Sequence, residues 1–480
     1  MYQEQGVFRA ACGGGSVRVL LVQPPSRSAI REVLETSSPP LGLAYLASCL
    51  EEEGEEVRIM DCIVLGASHR DVKREIESWS PDLVGVTATT PAHNDALRVL
   101  KEAKEAGAFT VAGGPHFSFI DLEALRKYRF IDFVVRGEGE ETLKELVRAL
   151  ERGRDVSEIR GLTYRRGEVA KRNPDRPLIE NLDSLPMPAY HLLPMGMYRF
   201  EGYRHATTMT SRGCPFRCTF CASSKLFGKR WRGRSPGNVA DELELLVYKY
   251  KVRNVEFLDD TFTLNARRAE EICDEIKRRG LDISWACSSR VDTINRRLLS
   301  KLKAAGCYII YYGVESGSQR ILNLMKKGIR IAQVVKAFKE TVKAGIERLA
   351  SFILGFPGET VETIKKTIRF ARFLNPDYVQ FTVCTPYPGT ELYHELKSKG
   401  AILVEDWSRY DALTPVFWVR EEGMPPWEVA RWVKRAYVSF YTSPRFLIQQ
   451  LRKKRFIIWR KVFKAVRAYL TGRVEGGGGI

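Results

Sequence analysis

The sequence lacks the features that define several protein classes. No apolar run approaches the ~20 residues that a membrane-spanning helix needs, so we expect no such helix. The first residues, Met1 to Ser16, contain no basic stretch followed by an apolar one, so no secretory signal is indicated. Cysteine is sparse, with 10 in 480 residues, which excludes a secreted disulfide scaffold. We therefore expect a cytoplasmic protein.

Acidic residues are missing from one long segment near the C-terminus. The net charge is +18, and residues 430–474 hold 13 Lys and Arg with no Asp or Glu. The overall composition, 44% hydrophobic and 28% charged, is that of a globular protein. The basic excess is therefore a property of the C-terminal region rather than of the whole molecule.

The first part of the chain alternates short apolar runs with helical patterns. The predicted strands are residues 17–22, 56–60, 83–86, 109–112 and 133–135. Uninterrupted apolar strands between amphipathic helices indicate a parallel sheet that is covered on both faces. We predict a doubly wound, Rossmann-like α/β domain over residues 17–150, which would bind its ligand outside the carboxyl ends of the strands.

Glycine is frequent at these predicted strand ends. Gly113, Gly114 and His116 follow the fourth strand, and a second set follows the fifth strand and precedes a helix. That second set is Gly137, Glu138 and Gly139. Glycine lets the backbone approach a bulky ligand closely, although ordinary turns also use it. No G-x-G-x-x-G follows the first strand, so the dinucleotide-binding fingerprint is missing.

The second half of the chain repeats a strand-helix pattern six times. After a Pro- and Arg-rich stretch over residues 151–204, which we predict to be a linker, the repeats occupy residues 205–410. The predicted strands are 206–211, 254–258, 283–288, 308–313, 349–354 and 378–383. This regularity predicts a partial (β/α)6 TIM-type barrel, with chemistry at the carboxyl ends of its strands. Residues 411–480 are predicted to form a helical, basic C-terminal region.

One cysteine cluster carries the strongest chemical signal. Cys214, Cys218 and Cys221 follow the first barrel strand with C-x3-C-x2-C spacing. Three thiolates on one loop suit an iron–sulfur cluster. Structural zinc usually takes four protein ligands, and His205 is the only nearby candidate for a fourth. A [4Fe–4S] cluster with three thiolates would leave one iron open to a ligand.

This motif, with the aromatic Phe220 before its last cysteine, resembles that of the radical S-adenosylmethionine (SAM) superfamily. Further stretches at predicted strand ends fit the same family; they are 257–260, 312–318, 355–359 and 386–390. The first unit is similar to the cobalamin-binding domain that precedes the barrel in one branch of this superfamily, such as its methyltransferases and the anaerobic magnesium-protoporphyrin monomethyl ester cyclases. The residues that carry this second resemblance are 39–43, 113–116 and 137–140.

The resemblance implies three cofactors: a [4Fe–4S] cluster, SAM and cobalamin. Cys214, Cys218 and Cys221 would bind three irons, and the fourth iron would bind SAM, whose reductive cleavage yields a 5′-deoxyadenosyl radical. The implied cofactor-binding residues in the barrel are Phe220, Asp260, Arg290, Glu315, Ser316 and Gly355. Those in the first unit are Pro40, Gly42, Gly113, Gly114, His116, Gly137, Glu138 and Gly139.

The cobalamin half departs from one common pattern. None of the six histidines lies in an Asp-x-His-x-x-Gly motif, so the resemblance implies cobalamin without that lower ligand to cobalt. An alternative is a tRNA methylthiotransferase, which binds a second cluster through three N-terminal cysteines. Cys12, Cys49 and Cys62 would be those ligands. About eight irons per chain, rather than about four, would identify that enzyme.

The basic region bears on where the substrate is found. Between Arg445 and Leu470 one helical face would carry Trp459, Val462, Phe463, Val466 and Leu470, with cations elsewhere. A basic amphipathic helix of this kind suits an anionic membrane surface, such as the inner face of the cell membrane, although it could instead pack on the barrel. No RNA-binding module accompanies the charge, so nucleic acid is not the expected partner.

These features together predict C-methylation of a hydrophobic or lipid-like substrate. Flavodoxin or ferredoxin is the expected electron donor. The alternatives are oxidative ring closure or rearrangement of a tetrapyrrole ester or polycyclic lipid, and a non-catalytic sensor of cobalamin or redox state.

Overall fold

A computed structural model describes residues 16–26 and 38–453 of the chain. The described residues divide into two compact units, one made of 16–26, 38–206 and 225–228, the other of 207–224 and 229–453. No helix among the described residues has the length and apolar character that crossing a membrane requires.

The first unit is built on a seven-stranded sheet with strand order β2-β1-β3-β4-β5-β6-β7. Its strands are β1 (Arg18–Gln23), β2 (Glu56–Asp61), β3 (Leu83–Thr87), β4 (Phe109–Gly113), β5 (Phe133–Val135), β6 (Leu162–Arg166) and β7 (Val169–Arg172). The first five strands are parallel, and β6 and β7 extend the sheet antiparallel. The predicted doubly wound sheet is confirmed.

Helices cover both faces of this sheet. They are α1 (Leu41–Glu51), α2 (Cys62–Leu65), α3 (His69–Trp79), α4 (His93–Glu105), α5 (Gly114–Lys127) and α6 (Glu140–Glu151). Along β1, Leu20 and Val22 pack with α3, α4 and α5, whereas Val19 and Leu21 pack with α1 and α6. Successive side chains of a strand point to opposite faces, so each strand contributes to two apolar layers.

The stretch predicted as a linker, 151–204, is instead largely part of the first unit. Strands β6 and β7 lie in it, and Tyr198 is buried with its hydroxyl donating to Asp61 Oδ2 at 2.9 Å. The buried Arg136 donates to the carbonyl of Asn173 at 2.7 Å and to Asp175 at 2.9 Å. These polar contacts between distant parts of the chain are what sequence periodicity does not reveal.

The second unit is an open, curled sheet with strand order β16-β15-β14-β13-β12-β9-β8. Its strands are β8 (Arg199–Phe200), β9 (Tyr203–Thr208), β12 (Asn254–Phe257), β13 (Ser284–Ser289), β14 (Cys307–Glu315), β15 (Glu347–Leu354) and β16 (Tyr378–Val383). The strands from β12 to β16 are parallel neighbours. The predicted partial barrel is confirmed, although β8 and most of β9 fall in the compact unit that holds the first sheet.

Helices between the strands cover the outer face of this half-barrel. They are α8 (Pro236–Tyr248), α9 (Ala266–Arg278), α10 (Arg296–Ala304), α12 (Ile331–Lys343) and α13 (Val361–Leu374). Two more helices, α11 (Gln319–Leu324) and α14 (Glu391–Ser398), contribute Ile321, Leu392 and Leu396 to a separate apolar cluster. The short helix α7 (Ser223–Leu226) lies in the connection between β9 and β12 and buries none of its residues. Side-chain caps mark several helix starts: Asn265 accepts from Arg268 N at 3.1 Å, and Asn295 accepts from Leu298 N at 2.9 Å. Such caps satisfy amide groups that a helix leaves without internal partners.

Two further helices, α15 (Pro426–Tyr441) and α16 (Pro444–Arg452), follow the barrel. Helix α15 covers the edge strand β16, where the Phe381 amide donates to the Tyr437 hydroxyl at 3.1 Å and the Tyr441 hydroxyl donates to the Val379 carbonyl at 3.2 Å. Phe446 of α16 is buried, and its ring packs 5.1 Å from that of Phe440 on α15. The part of the basic region that the structure describes therefore packs on the barrel. The predicted apolar face with Trp459 and the residues after it lies outside the described residues.

Candidate active site

The cysteine loop leaves the half-barrel at the end of β9 and is closed at its base. Ser211–Arg212 (β10) pairs antiparallel with Arg232–Gly233 (β11), so the residues between them form one loop. Gly213 begins this loop with a φ of 89°, a backbone conformation that glycine adopts readily. Because both ends of the loop are hydrogen-bonded, its position relative to the strand ends is set by the sheet.

Buried charged side chains fix the base of this loop. Asp259, which follows β12, accepts from the Thr210 amide at 2.7 Å and from the Thr210 hydroxyl at 2.6 Å. Arg268 on α9 donates to the Arg234 carbonyl at 2.6 Å, and Arg234 donates to the Met209 carbonyl at 3.0 Å. Buried ionic groups held this way stabilise one geometry, because moving any of them would leave a charge without a partner.

The three cysteines of the loop differ from every other cysteine in the described part of the chain. Cys214, Cys218 and Cys221 are half-buried, whereas the other six described cysteines are buried. All nine are free thiols. No three His, Cys, Asp or Glu side chains in the described ranges converge on a point that would suit a single metal ion. A cluster does not require such convergence, since each thiolate binds its own iron atom, and three accessible thiols on one pinned loop fit it.

The middle of the loop is anchored to the barrel through its backbone. The Thr219 amide donates to the Met325 carbonyl at 3.1 Å, and the Thr219 carbonyl accepts from the Leu392 amide at 3.0 Å. Phe220 packs beside the apolar cluster that includes Met325, Phe356 and Leu392. The aromatic residue before the last cysteine therefore holds the loop in place.

Two charged residues at the ends of neighbouring strands, and one from the turn after α11, gather beside Cys218. Glu315 ends β14, is buried, and pairs with the buried ammonium of Lys327, 2.7 Å from Glu315 Oε1 to Lys327 Nζ. Arg290 follows β13, donates to the Lys327 carbonyl at 3.0 Å and pairs with Asp292 at 2.9 Å. Burial raises the pKa of the Cys218 thiol, and the positive charges of Lys327 and Arg290 oppose that rise.

The backbone conformation of Glu315 is unusual for a residue with a side chain, with a φ of 64°. Backbone strain of this kind persists only where the surrounding structure imposes it, and it is concentrated at functional sites. Gly313, two residues earlier, has no side chain because a Cβ would lie 2.7 Å from Lys327 Nζ. The segment is therefore shaped to hold the carboxylate and the ammonium together.

The remaining barrel residues implied by the resemblance occupy different positions. Asp260 is exposed and accepts a hydrogen bond from Ser223, close enough to Cys214 and Cys221 to influence their pKa values. Ser316 is buried, and its hydroxyl lies 3.1 Å from that of Thr367 on α13. These two residues remain candidates by position alone.

Gly355 follows β15 with a φ of 83°, and a Cβ there would lie 2.6 Å from Val429. Its amide donates at 2.7 Å to Glu359, a buried carboxyl whose pKa is raised by burial to about 8. The close approach of α15 therefore explains this glycine without a cofactor. His205, the candidate fourth ligand, is buried on β9 with its Nε2 3.3 Å from Ser38 Oγ.

In the first unit, the carboxyl ends of β1 to β5 share one edge of the sheet, because these strands are parallel. Two glycines at this edge serve packing within the protein. A Cβ on Gly114 would lie 2.9 Å from the Ala88 amide nitrogen, and one on Gly139 would lie 3.0 Å from Val135. Gly113 is extended, with a φ of −153°. Packing therefore explains Gly114 and Gly139, whereas the extended backbone of Gly113, with 3.6 Å from a Cβ to the Val135 carbonyl oxygen, does not by itself require glycine.

Gly42 and Gly137 differ, because both leave open space beside the backbone. Nothing lies within 4 Å of a Cβ placed on Gly42, and the nearest atom to one on Gly137 is 3.8 Å away. Pro40 precedes α1, and Glu138 is buried with its carboxylate accepting from the Ile179 amide at 2.8 Å. A bulky planar ligand fits an edge with exposed glycine backbone at these two positions.

His116 lies in the first turn of α5 and is buried. Its Nδ1 is 3.2 Å from Thr90 Oγ1, and its ring packs edge-on against that of His93, 4.6 Å between centroids. Burial, with a smaller contribution from His93, lowers the pKa of His116 to about 3. The imidazole is therefore neutral within the core of the unit.

Lys327 and Arg268 belong to no motif of the sequence, and Asp259 and Glu359 lie within the stretches 257–260 and 355–359 without being predicted site residues. Lys327 stands in the run Met325-Lys326-Lys327-Gly328, which resembles an ordinary exposed charge pair. Asp259 is adjacent to Asp260, and the strand direction that decides which carboxylate turns inward is invisible in the sequence. For Glu359 the sequence does offer a hint, because this carboxylate directly follows the glycine- and proline-rich turn of residues 355–358.

Two family models match the chain. The radical SAM superfamily model matches residues 208–371, and the B12 binding domain model matches residues 27–147. The first match contains the cysteine loop and the Lys327–Glu315 pair, and the second contains the sheet edge with Gly42 and Gly137.

Characterised and uncharacterised relatives share nearly the full length. An uncharacterized methyltransferase of Pyrococcus horikoshii is 45% identical and covers 94% of this chain and 99% of its own. The anaerobic magnesium-protoporphyrin IX monomethyl ester cyclase of Rubrivivax gelatinosus is 33% identical, covering 90% of this chain and 78% of its own. The structure of the radical SAM methyltransferase TsrM from Kitasatospora setae, solved with cobalamin and a [4Fe–4S] cluster, matches with a TM-score of 0.69 and 24% identity, over 80% of this chain and 78% of that one.

Proposed function

Because the chain belongs to the radical SAM superfamily and carries a B12-binding domain, we propose that it attaches a methyl group to an unactivated carbon of a hydrophobic small molecule. The chain is a radical SAM enzyme whose cofactors are a [4Fe–4S] cluster, SAM and cobalamin. When bound, these groups supply reductive cleavage of SAM and a transferable methyl group.

The observation that carries the proposal is the trio of half-buried thiols on a loop fixed at the carboxyl end of the half-barrel. Cys214, Cys218 and Cys221 hold the cluster, and no fourth cysteine of the described ranges shares their exposure. Lys327 and Arg290 place positive charge beside Cys218, which favours the thiolate form that binds iron. The buried Glu315–Lys327 pair fixes a polar edge against which SAM is oriented.

Half-exposed apolar side chains near the same strand ends favour a hydrophobic substrate. Phe220, Ile353, Ile402 and Phe417 are partly buried around the apolar cluster under the cysteine loop. Apolar surface of this kind loses contact with water when a ligand covers it, which contributes roughly 25 cal/mol for each Å² buried. These side chains therefore provide both affinity and the exclusion of water that radical chemistry needs.

The central test is anoxic turnover with SAM and a chemical reductant. The wild-type protein should release 5′-deoxyadenosine, and Cys218→Ala should abolish that release while cobalamin binding persists. Cys273→Ala, which removes a buried thiol on α9, serves as the matched control and should retain activity. Release by the Cys218→Ala variant at the wild-type rate would contradict the proposal.

Methyl transfer is tested with SAM labelled in its methyl group and a cell extract as the source of substrate. Label should appear in a product that partitions into organic solvent, together with S-adenosylhomocysteine, the product that SAM leaves after losing its methyl group. Label that stays in SAM while 5′-deoxyadenosine forms would contradict methyl transfer.

That last outcome would favour oxidative ring closure as the reaction. The specific observation behind this second candidate is the 33% identity to the magnesium-protoporphyrin ester cyclase. A cyclase removes hydrogen atoms from its substrate and forms a ring without gaining the labelled carbon. Mass spectrometry separates it from methylation, because the product of ring closure lacks the labelled carbon and the mass increment of a methyl group.

We also propose that a flavodoxin or ferredoxin supplies the electron, because cleavage of SAM needs a single-electron donor of low potential. For the basic C-terminal region, we propose contact with an anionic membrane surface near the substrate. Its support is the concentration of 13 cationic residues over 430–474.

A further inference from the structure

Five successive strands of the half-barrel each carry a half-buried polar side chain on the same face of the sheet. We refer to these five residues as the polar band: Glu256 on β12, Ser288 on β13, Tyr311 on β14, Ser351 on β15 and Gln380 on β16. All five are half-buried. Within the ranges 16–26 and 38–453, none of these side chains makes a hydrogen bond or an ion pair.

The polar band lies on the face of the sheet that the helices leave open. Neighbouring residues on the same strands point the other way and are buried under helices. The Tyr312 hydroxyl lies 2.8 Å from that of Thr341 on α12, and the Phe381 ring packs 5.4 Å from Tyr437 on α15. Because side chains alternate along a strand, Tyr311 and Gln380 face the inside of the half-barrel.

The strand register brings members of the band together. Ser351 and Gln380 are direct partners on β15 and β16, and Ser288 and Tyr311 are partners on β13 and β14. The small residue Ala286 lies beside Glu256 in the register. The Glu256 carboxylate therefore reaches toward the phenol two strands away, and its charge adds to the burial that raises the pKa of Tyr311.

The band also continues the polar edge formed by the buried ion pair. Gly313 is the register partner of Ser351, and a Cβ on Gly313 would lie 2.7 Å from Lys327 Nζ. The Glu315–Lys327 pair therefore lies over Gly313, and Ser351 and Gln380 follow Gly313 at the same level of the sheet on the next two strands. The inner face is polar from the cysteine loop toward the middle of the sheet.

The polar band departs from an ordinary barrel interior, because the interior of a closed TIM barrel is filled with Val, Ile and Leu. The five side chains keep part of their surface exposed on the open face, and none of their polar atoms is both fully buried and without a hydrogen bond. Glu256 has no cation beside it among the described residues, and burial raises the pKa of its carboxyl. Polar side chains that line an open concave face are available to a ligand, because the face is already formed and accessible.

We infer that the polar band binds the polar portion of the methyl acceptor, so that the acceptor is an amphipathic molecule rather than a pure hydrocarbon. An N–H or O–H donor of the acceptor faces Glu256, and a carbonyl or hydroxyl group faces Tyr311, Ser351 and Gln380. This inference rests on the proposed function. It adds that the hydrophobic part of the same molecule lies toward Phe220 and Ile353, nearer the cysteine loop.

The test compares Glu256→Leu, Gln380→Leu and Ser351→Ala with wild-type protein loaded with cluster and cobalamin. Each is incubated with SAM and the small-molecule fraction of a cell extract, and the compounds retained by the protein are identified by mass spectrometry. Glu256→Gln is the conservative variant, because its amide keeps the shape while losing the charge. Glu271→Gln, on the exposed side of α9, is the matched control.

We expect the wild-type protein to retain compounds that contain nitrogen or oxygen donors, and each apolar variant to retain them at least tenfold less. The melting temperature of the variants should stay level or rise, since an unpartnered polar group has been replaced by an apolar one. Glu256→Gln should lose less than Glu256→Leu, and Glu271→Gln should match the wild type.

Three results would overturn the inference. Retention of the same compounds by the apolar variants would mean that the band contacts only water, and a fall of several degrees in melting temperature would make these residues structural. Retention of hydrocarbons alone would also oppose it. Failure of the proposed methylation is read separately, as retained compounds that gain no label from SAM.

Discussion

The ammonium nitrogen of Lys327 lies 2.7 Å from Oε1 of Glu315, and both side chains are almost completely buried at the end of β14. The pair lies near Cys218, whose pKa responds to both of its charges. A buried ion pair contributes little net stability, yet breaking it is expensive because the remaining charge has no partner. The pair is therefore a device for fixing geometry beside the cysteine loop.

Replacing Lys327 with Met should destabilise the protein by about 3–5 kcal/mol, since the Glu315 carboxylate would remain buried and unpaired. The neighbouring Lys326→Met is the matched control. Lys326 pairs with Glu391 at the surface, so its loss should cost less than about 1 kcal/mol. Urea unfolding of the cofactor-free protein measures both.

The double variant Lys327→Met with Glu315→Gln should lose less stability than the sum of the two single changes, because no bare charge remains. Equal losses for Lys327→Met and Lys326→Met would show that the buried pair is not intact in solution.

Iron content distinguishes a single cluster from two. Protein purified without oxygen and reconstituted should bind about four irons per chain. Cys49 and Cys62 are buried, and burial raises the pKa of each thiol to about 12, so neither is suited to bind a second cluster. The variants Cys49→Ala and Cys62→Ala should keep the wild-type iron content, and Cys218→Ala should lose most of it. About eight irons, or zinc in place of iron, would contradict this assignment.

Two strands are predictable from the sequence at their observed bounds, for different reasons. Residues 133–135 are apolar and buried throughout, as in a parallel strand covered on both faces. Residues 378–383 alternate half-buried and buried positions, so the polar Gln380 and Thr382 stand between apolar residues with the period of two that a strand has. Strands β6 and β7 were not predicted. Val169 is exposed and the charged residues beside it resemble a loop, and their pairing depends on β5, far away in the sequence.

The cysteine loop was predictable because its spacing is local, whereas the residues that support it are not. Lys327 lies more than a hundred residues from Cys218, and the two segments meet only in the folded half-barrel, where the Thr219 amide donates to the Met325 carbonyl at 3.1 Å. The same reason explains why Asp259 escaped notice beside Asp260. Asp259 is buried and Asp260 is exposed, but the sequence shows only two adjacent aspartates.

Gly42 provides a test of the cobalamin edge. It lies in the first turn of α1, where nothing occupies the space of a Cβ, so Gly42→Ala should leave the cofactor-free protein unchanged or stabilise it by up to about 1 kcal/mol. If cobalamin uses this space, the same change should weaken its binding several-fold. Spectrophotometric titration with hydroxocobalamin measures the affinity, and Gly196→Ala, also in open space, is the control. Unchanged affinity in Gly42→Ala would remove this residue from the site.

The basic C-terminal region should bind anionic vesicles through charge. The full chain should cosediment with vesicles of phosphatidylcholine and phosphatidylserine at low ionic strength and dissociate as salt is added, because counterions screen the attraction. A chain that ends at Lys453 should bind much less, since it lacks seven of the 13 Lys and Arg residues of 430–474. Equal sedimentation of both chains, or none of the full chain at low salt, would contradict membrane contact.

The neutral state of His116 makes the stability of the protein depend on pH. Burial lowers its pKa to about 3 in the folded protein, whereas an unfolded chain has a histidine pKa of about 6.5. Below pH 6.5 the unfolded chain therefore binds a proton that the folded chain does not, and the stabilisation present at neutral pH is lost as the pH falls toward 3.

At pH 5 the loss from this one residue is on the order of 2 kcal/mol, from 1.36 kcal/mol for each pH unit below 6.5. His116→Gln should remove that part of the slope when unfolding free energies are compared between pH 7 and pH 5. His191→Gln, an exposed histidine 2.8 Å from Glu51, is the control and should leave the slope nearly as in the wild type. If His116→Gln keeps the wild-type slope, the imidazole takes up its proton as readily in the folded protein as in the unfolded chain, which would contradict a neutral buried His116.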